Sequence, residues 1–171
     1  MKKRIGIICT AAIIGLCGCN SKDANEEETT KAVDAVKCQN IMSVVLEEGD
    51  GLNTNEVLYY ESSDYEEYFE YLYDTSPDRV TDGAYAYASS AVADEVTIVY
   101  ASEEDDVEVI KKHLEDRVDR RKQDFNGYKP EEVEKLENSV IDTNGRYVFM
   151  VVSENPDDII DIINEEIERE E

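Results

Sequence analysis

The chain has 171 residues, 42 of them Asp or Glu against 17 Lys or Arg, and a net charge of −25 with its one histidine neutral. This length supports one domain with a core of its own, without need of disulfide staples. The acidity excludes nucleic acid and flat docking on anionic lipid, because both repel such a surface within a Debye length of about 8 Å at physiological salt.

Residues 1–18 begin with Lys2, Lys3 and Arg4 and continue in an apolar run from Ile5 to Leu16. The run is shorter than the roughly 20 residues a membrane-crossing helix needs, which is the pattern of a cleaved export signal. It ends in Leu16-Cys17-Gly18-Cys19, a lipobox in which Cys17 stands where a small, non-nucleophilic residue is usual. Cleavage before Cys19 leaves a thiol for lipid and places the rest of the chain on the extracytoplasmic side of the cell membrane. The alternative is an ordinary secretory signal cut after Gly18 and a free, secreted product. Cys9 and Cys17 leave with the signal, so Cys38 has no disulfide partner and belongs in the core as a small apolar residue. Residues 19–31 carry the lipidated cysteine and a polar, charged tether reaching roughly 40 Å when fully extended.

Residues 32–171 then form a single domain. Val33, Val36, Ile41, Val44 and Val45 recur at helical spacing over 32–46. A short helix follows over 65–73, with Asp64 as N-cap and Tyr65, Tyr68, Phe69 and Leu72 on one face. The remainder divides into two hairpin-helix units. Strands over 84–89 and 96–101 flank a loop at 90–95; Ser102 then caps a long helix, acidic at its start (Glu103 to Asp106) and basic toward its end (Arg117, Arg120, Arg121, Lys122), as the helix dipole favours. Val107, Ile110, Leu114, Val118 and Phe125 give that helix its buried stripe. In the second unit Thr143-Asn144-Gly145-Arg146 predicts a type I′ turn between strands over 139–142 and 146–152, the latter apolar on both faces and therefore central. Asn155 and Pro156 open a last helix with Ile159, Ile160, Ile163 and Ile167 on its buried side. Ser102-Glu103 with Asp105-Asp106-Val107 aligns with Ser153-Glu154 and Asp157-Asp158-Ile159 after one inserted residue, which predicts a tandem β-β-α repeat. The expected fold is α+β: a four-stranded, mainly antiparallel sheet with both repeat helices on one face and the N-terminal helices on the other face or an edge.

Chemistry is sparse in the sequence. One histidine excludes a histidine-based metal cluster, and no phosphate loop, nucleophile elbow or CxxC is present. The acidic runs lack the spacing that fixes six or more oxygens around calcium, so neither metal nor cofactor is expected. Tyr59, Tyr60, Tyr65, Tyr68, Tyr71 and Tyr73 crowd one segment that cannot bury them all; the expectation is core packing with ordinary exposure at the rim, and the alternative is an exposed tyrosine patch that serves as an interaction surface for glycan or protein. Arg117 sits at the edge of the buried stripe and needs a carboxylate, for which Asp94 and Glu95 are the candidates; Arg120 is expected exposed.

Ala93-Asp94-Glu95-Val96-Thr97-Ile98, then Leu114 with Arg117, Phe125 with Tyr128, Pro130, Lys135 and Leu136, then Gly145-Arg146-Tyr147-Val148-Phe149 and Val152-Ser153, resemble a family of exported lipoproteins of clostridia-type Gram-positive bacteria, the domain of unknown function 4358. The chain departs from its pattern at Arg121, in place of a glutamine, and at Asp124, in place of a small hydroxyl residue. The resemblance implies a surface lipoprotein without known activity, and it sets Tyr128 beside Arg117, Asp94 and Glu95 as candidate structural or binding residues. The expectation is a monomeric, membrane-anchored binding or structural module with an envelope protein or glycan as partner. The alternative is a carboxylate-dependent envelope enzyme such as a glycan hydrolase.

Overall fold

A computed structural model describes residues 36–89 and 92–169. The export signal, Cys19, the tether and the start of the first predicted helix lie outside the described residues. Eleven elements follow in order: α1 (Cys38–Glu48), β1 (Glu56–Tyr59), α2 (Tyr65–Tyr73), a 3₁₀ turn (Pro77–Arg79), β2 (Val80–Tyr87), β3 (Glu95–Ala101), α3 (Glu104–Phe125), α4 (Pro130–Glu137), β4 (Val140–Asn144), β5 (Tyr147–Val152) and α5 (Pro156–Glu168).

The strands form one sheet in the order β1-β2-β3-β5-β4, and every neighbouring pair is antiparallel. Side chains alternate between the two faces along each strand, so the sheet has two separate cores. On one face Tyr85, Val99, Val148 and Met150 pack under α2, α3 and α4 through Tyr65, Phe69, Ile110, Leu114 and Leu136. On the other, Ala84, Ala86, Ile98 and Phe149 pack under α1 and α5 through Ile41, Met42, Val45, Ile159 and Ile163. The fold is a mixed α/β sandwich of three layers. All six residues of β5 are buried, as a strand covered on both faces requires.

Five strands replace the expected four. The fifth, β1, is a four-residue edge strand with no alternation to mark it. The tandem repeat is corrected as well, because α3 and α5 cover opposite faces. Ala101 and Val152 both face the core under α3, but α3 begins three residues after Ala101 and α5 four after Val152. The one residue inserted at the second junction accompanies the change of face, which is what a structure of period two produces. The likeness of the two junctions reflects a shared need for acidic residues in the first helical turn, not a shared unit.

Two local expectations change. Ser102 does not cap α3: its hydroxyl donates to the Asp78 carbonyl at 2.8 Å, and Glu103 occupies the cap position without a side-chain cap bond. The second hairpin closes one residue later than the Asn-Gly signal implies, with Asn144 paired to Tyr147 and Gly145-Arg146 as the loop. Only Gly145 has positive φ there (57°), as in a type II′ turn rather than type I′. Asn144 instead accepts a tertiary role, donating through its amide to Asn164 of α5 at 3.0 Å.

Gly83 in β2 shows why one strand position is bare. A Cβ there would collide with the hydroxyl and Cζ of Tyr65, whose buried ring lies over the strand between Tyr60 and Phe69. The Tyr65 hydroxyl has no hydrogen-bond partner among the described residues. Gly83→Ala should therefore destabilise the domain by about 1 to 3 kcal/mol through overpacking, and Tyr65→Phe should recover part of that loss while costing little alone. Urea melts of the two single variants and the double variant measure this coupling, and simple additivity would contradict it.

Candidate functional site

The register of β2 and β3 sets the chemistry at one end of the sheet. Tyr85 pairs with Thr97 and Tyr87 with Glu95, and all four side chains share the face covered by α2 and α3. Glu95, only 1% exposed, is held by two arginines that lie one turn apart on α3. Arg117 donates to it through Nε (3.2 Å) and Nη2 (3.0 Å), and Arg121 through Nη1 at 2.7 Å. Arg121 also donates to the Val92 carbonyl at 3.1 Å, with its guanidinium 5.2 Å from the centre of the Phe125 ring.

The Tyr73 hydroxyl completes this network, donating to Glu95 at 3.2 Å and lying within hydrogen-bond distance of the Thr97 hydroxyl. Burial, reinforced by the Glu95 carboxylate, raises the Tyr73 hydroxyl well above its ordinary range. Burial likewise raises Tyr85, with the Glu95 charge adding to it. For Arg117 burial acts downward, but the charge and hydrogen bonds of Glu95 outweigh it and the guanidinium is held protonated more firmly than usual.

A cleft of about 400 Å³ opens above this cluster between β2, α2 and α3, lined by Tyr68, Leu72, Tyr85, Tyr87, Ala88, Ser89, Arg117, Arg121, Asp124 and Phe125. The two guanidinium side chains form part of its wall and keep 14% and 13% exposure. Tyr85 and Tyr87 stack at 4.8 Å with their planes 10° apart, and Tyr68 is 41% exposed across from them.

Asp94 and Glu95, adjacent in sequence, serve different helices. Asp94 is fully buried and accepts from Lys135 of α4 at 2.6 Å and from the Asn53 backbone N–H at 3.0 Å. Lys135 lies 3.5 Å from Glu132, whose carboxylate accepts the Ala93 N–H at 2.7 Å. Burial lowers and these carboxylates raise the Lys135 ammonium, with a net rise. This second cluster pins α4 to the chain entering β3. It borders a smaller hollow of about 310 Å³, with the buried Ser153 hydroxyl unpartnered among the described residues.

The structure thus brings Arg117 and Glu95 together and leaves Asp94 to Lys135. Tyr128, 64% exposed in the turn after α3, joins neither cluster. Arg120 is not a free surface residue: it donates to the Leu72 carbonyl at 2.6 Å, satisfying the last turn of α2. The crowded tyrosines divide, with Tyr65 and Tyr73 buried and Tyr71 81% exposed. Sequence reasoning missed Arg121, Tyr73, Tyr85, Tyr87 and Thr97 as site residues. The available signals were Thr97 two positions after Glu95 on one strand face, and Arg121 four positions after Arg117 on one helix flank.

Among the described residues no helix is long and apolar enough to cross a membrane, and no group of histidine, cysteine and acidic side chains could hold a metal ion. Fold and site define an α/β sandwich whose sheet end carries a buried ion-pair cluster beneath an aromatic cleft. Residues 55–153 match the family model described as a domain of unknown function, DUF4358, and the chain belongs to that family. No curated protein and no solved structure matches it.

Proposed function

We propose that the protein is a lipoprotein held on the extracytoplasmic side of the cell membrane through Cys19, and that its domain binds an envelope glycan or protein in the cleft between β2 and α3. The observation that carries the binding reading is the pair of partly exposed guanidiniums that share one buried carboxylate beside tyrosine rings. Such a wall, mostly aromatic and apolar with few convergent polar groups, has the composition of ligand sites. The anchoring reading rests on the basic start, the short apolar run and the lipobox. Two acyl chains on Cys19 would hold the domain durably, whereas one would not.

The hydrolase reading stands second. It requires two carboxylates about 5 to 10 Å apart across one pocket and free to act as acid and base. Asp94 and Glu95 are each bound to a cation at 3.0 Å or less, and Glu132 to a backbone N–H at 2.7 Å, so these buried carboxylates act as counter-ions and anchors.

Mass spectrometry of the mature N-terminus tests the anchor: diacylated Cys19 is expected, and an unmodified cysteine or a different start would refute it. Cys19→Ala should shift the protein from the membrane fraction to the medium. For the domain, solubilised envelope material should perturb NMR signals of Tyr87 and Arg121 without turnover, whereas release of glycan fragments would favour the hydrolase.

A further inference from the structure

We propose that the cleft takes an acidic sugar unit, a pyranose bearing a carboxylate or phosphate, with its anion on Arg117 and Arg121 and its ring face on Tyr87. This rests on the reading of the cleft as the binding site. Each guanidinium offers five N–H donors, and among the described residues each makes only two hydrogen bonds. The unused donors belong to side chains that remain in contact with water in the cleft wall. Planar guanidiniums match the paired oxygens of a carboxylate or phosphate, and here Glu95 and the Val92 carbonyl already fix their orientation.

The rest of the wall selects what accompanies the anion. Tyr87 is stacked on Tyr85 and so presents a fixed ring, while Tyr68, partly exposed, lines the same cleft. Tyrosines of this kind offer an apolar body and a polar tip, which suits a ligand with one apolar face and a rim of hydroxyls. A purely apolar ligand would strip water from two guanidiniums with nothing in return. A basic peptide would be repelled by them. Asp124, exposed at the rim, supplies a carboxylate acceptor for a sugar hydroxyl and disfavours a bare polyanion. The volume of about 400 Å³ falls in the range of small-ligand sites.

The test is a calorimetric and NMR titration of the folded domain with glucuronate, glucose 6-phosphate, glucose and inorganic phosphate. At least one acidic sugar should bind about tenfold more tightly than glucose and than phosphate, the difference expected for a charge-assisted hydrogen bond combined with ring contact. Which acid wins tells a sugar carboxylate from a sugar phosphate. Arg121→Gln, which keeps a hydrogen-bonding side chain beside Glu95, should cost about tenfold, and Tyr87→Ala a similar factor, with melting curves showing both variants folded. Binding of phosphate as tight as that of glucose 6-phosphate, or indifference to Tyr87→Ala, would overturn the assignment. If no acidic sugar binds but solubilised envelope material still perturbs Tyr87 and Arg121, the sugar inference falls and the binding module stands. If neither binds, both fall.

Discussion

Glu95→Ala should cost about 3 to 5 kcal/mol of folding stability, a large share of the roughly 5 to 15 kcal/mol that holds a domain of this kind together. The substitution removes the single carboxylate on which Arg117, Arg121 and Tyr73 converge, leaving two like charges one turn apart and the buried Tyr73 hydroxyl with Thr97 alone. Removing one arginine is a smaller perturbation, because the other still holds Glu95. Arg117→Ala and Arg121→Ala should each cost about 1 to 3 kcal/mol. The double variant should cost more than their sum, since only then is the carboxylate stranded. Denaturant melts of the four-member cycle decide the matter. Additive single losses would mean that the arginines act separately, and a Glu95→Ala loss below about 1 kcal/mol would mean that the cluster is open to water.

The sharing of Glu95 is where inference from sequence stops. That Arg117 needs a carboxylate follows from its place between Leu114 and Val118 on an amphipathic helix, and the β-branched run before Ser102 places Asp94 and Glu95 at the head of the strand beneath it. Which of the two faces α3 depends on the phase of the strand, and one residue exchanges the faces. Glu95 alternates with Thr97 and Val99 toward α3, and Asp94, just outside the strand, is reached by Lys135. Arg121 reads as one more basic residue near a helix C-terminus until the fold shows Glu95 within its reach.

The elements with strong periodicity, α2, α3, α5 and both hairpins, were legible in outline because burial follows their pattern, although Ser102 does not cap α3, the second hairpin turns at Gly145-Arg146, and β2 covers Val80–Tyr87 rather than 84–89. Those without it were not. Four-residue β1 is half-exposed at the sheet edge, and α4 buries only Glu132 and Leu136, so neither has a hydrophobic pattern long enough to stand out. Pro130 followed by Glu131 and Glu132 is nonetheless a helix start of the same kind as Pro156 with Asp157 and Asp158, and α4 could have been found by it. The placement of α3 and α5 on opposite faces had no local signal beyond the inserted residue. It is decided by which face of the five-stranded sheet each helix stripe can cover.

The domain should unfold cooperatively in alkali, and its tyrosines should report the event. Tyr65, Tyr73 and Tyr85 are almost fully buried, and burial raises each hydroxyl above the ordinary value near pH 10. The unfolded chain releases those protons as pH passes about 10, while the folded chain keeps them, so the unfolded state binds fewer protons and stability falls as pH rises. Below about pH 10 both states hold the protons and the stabilising difference is fully present. Above it, three such groups together remove about 4 kcal/mol per pH unit, at about 1.4 each. Lys135, also raised by its carboxylate partners, loses its contribution in the same direction once the pH passes the ordinary lysine value near 10.4. Absorbance at 295 nm should therefore show a steep rise from these buried tyrosines coincident with loss of far-ultraviolet circular dichroism. A single smooth titration of all tyrosines with the secondary structure intact would mean that the aromatic core around Tyr73 admits water, and the cluster built on Glu95 would then not be the anchor of this fold.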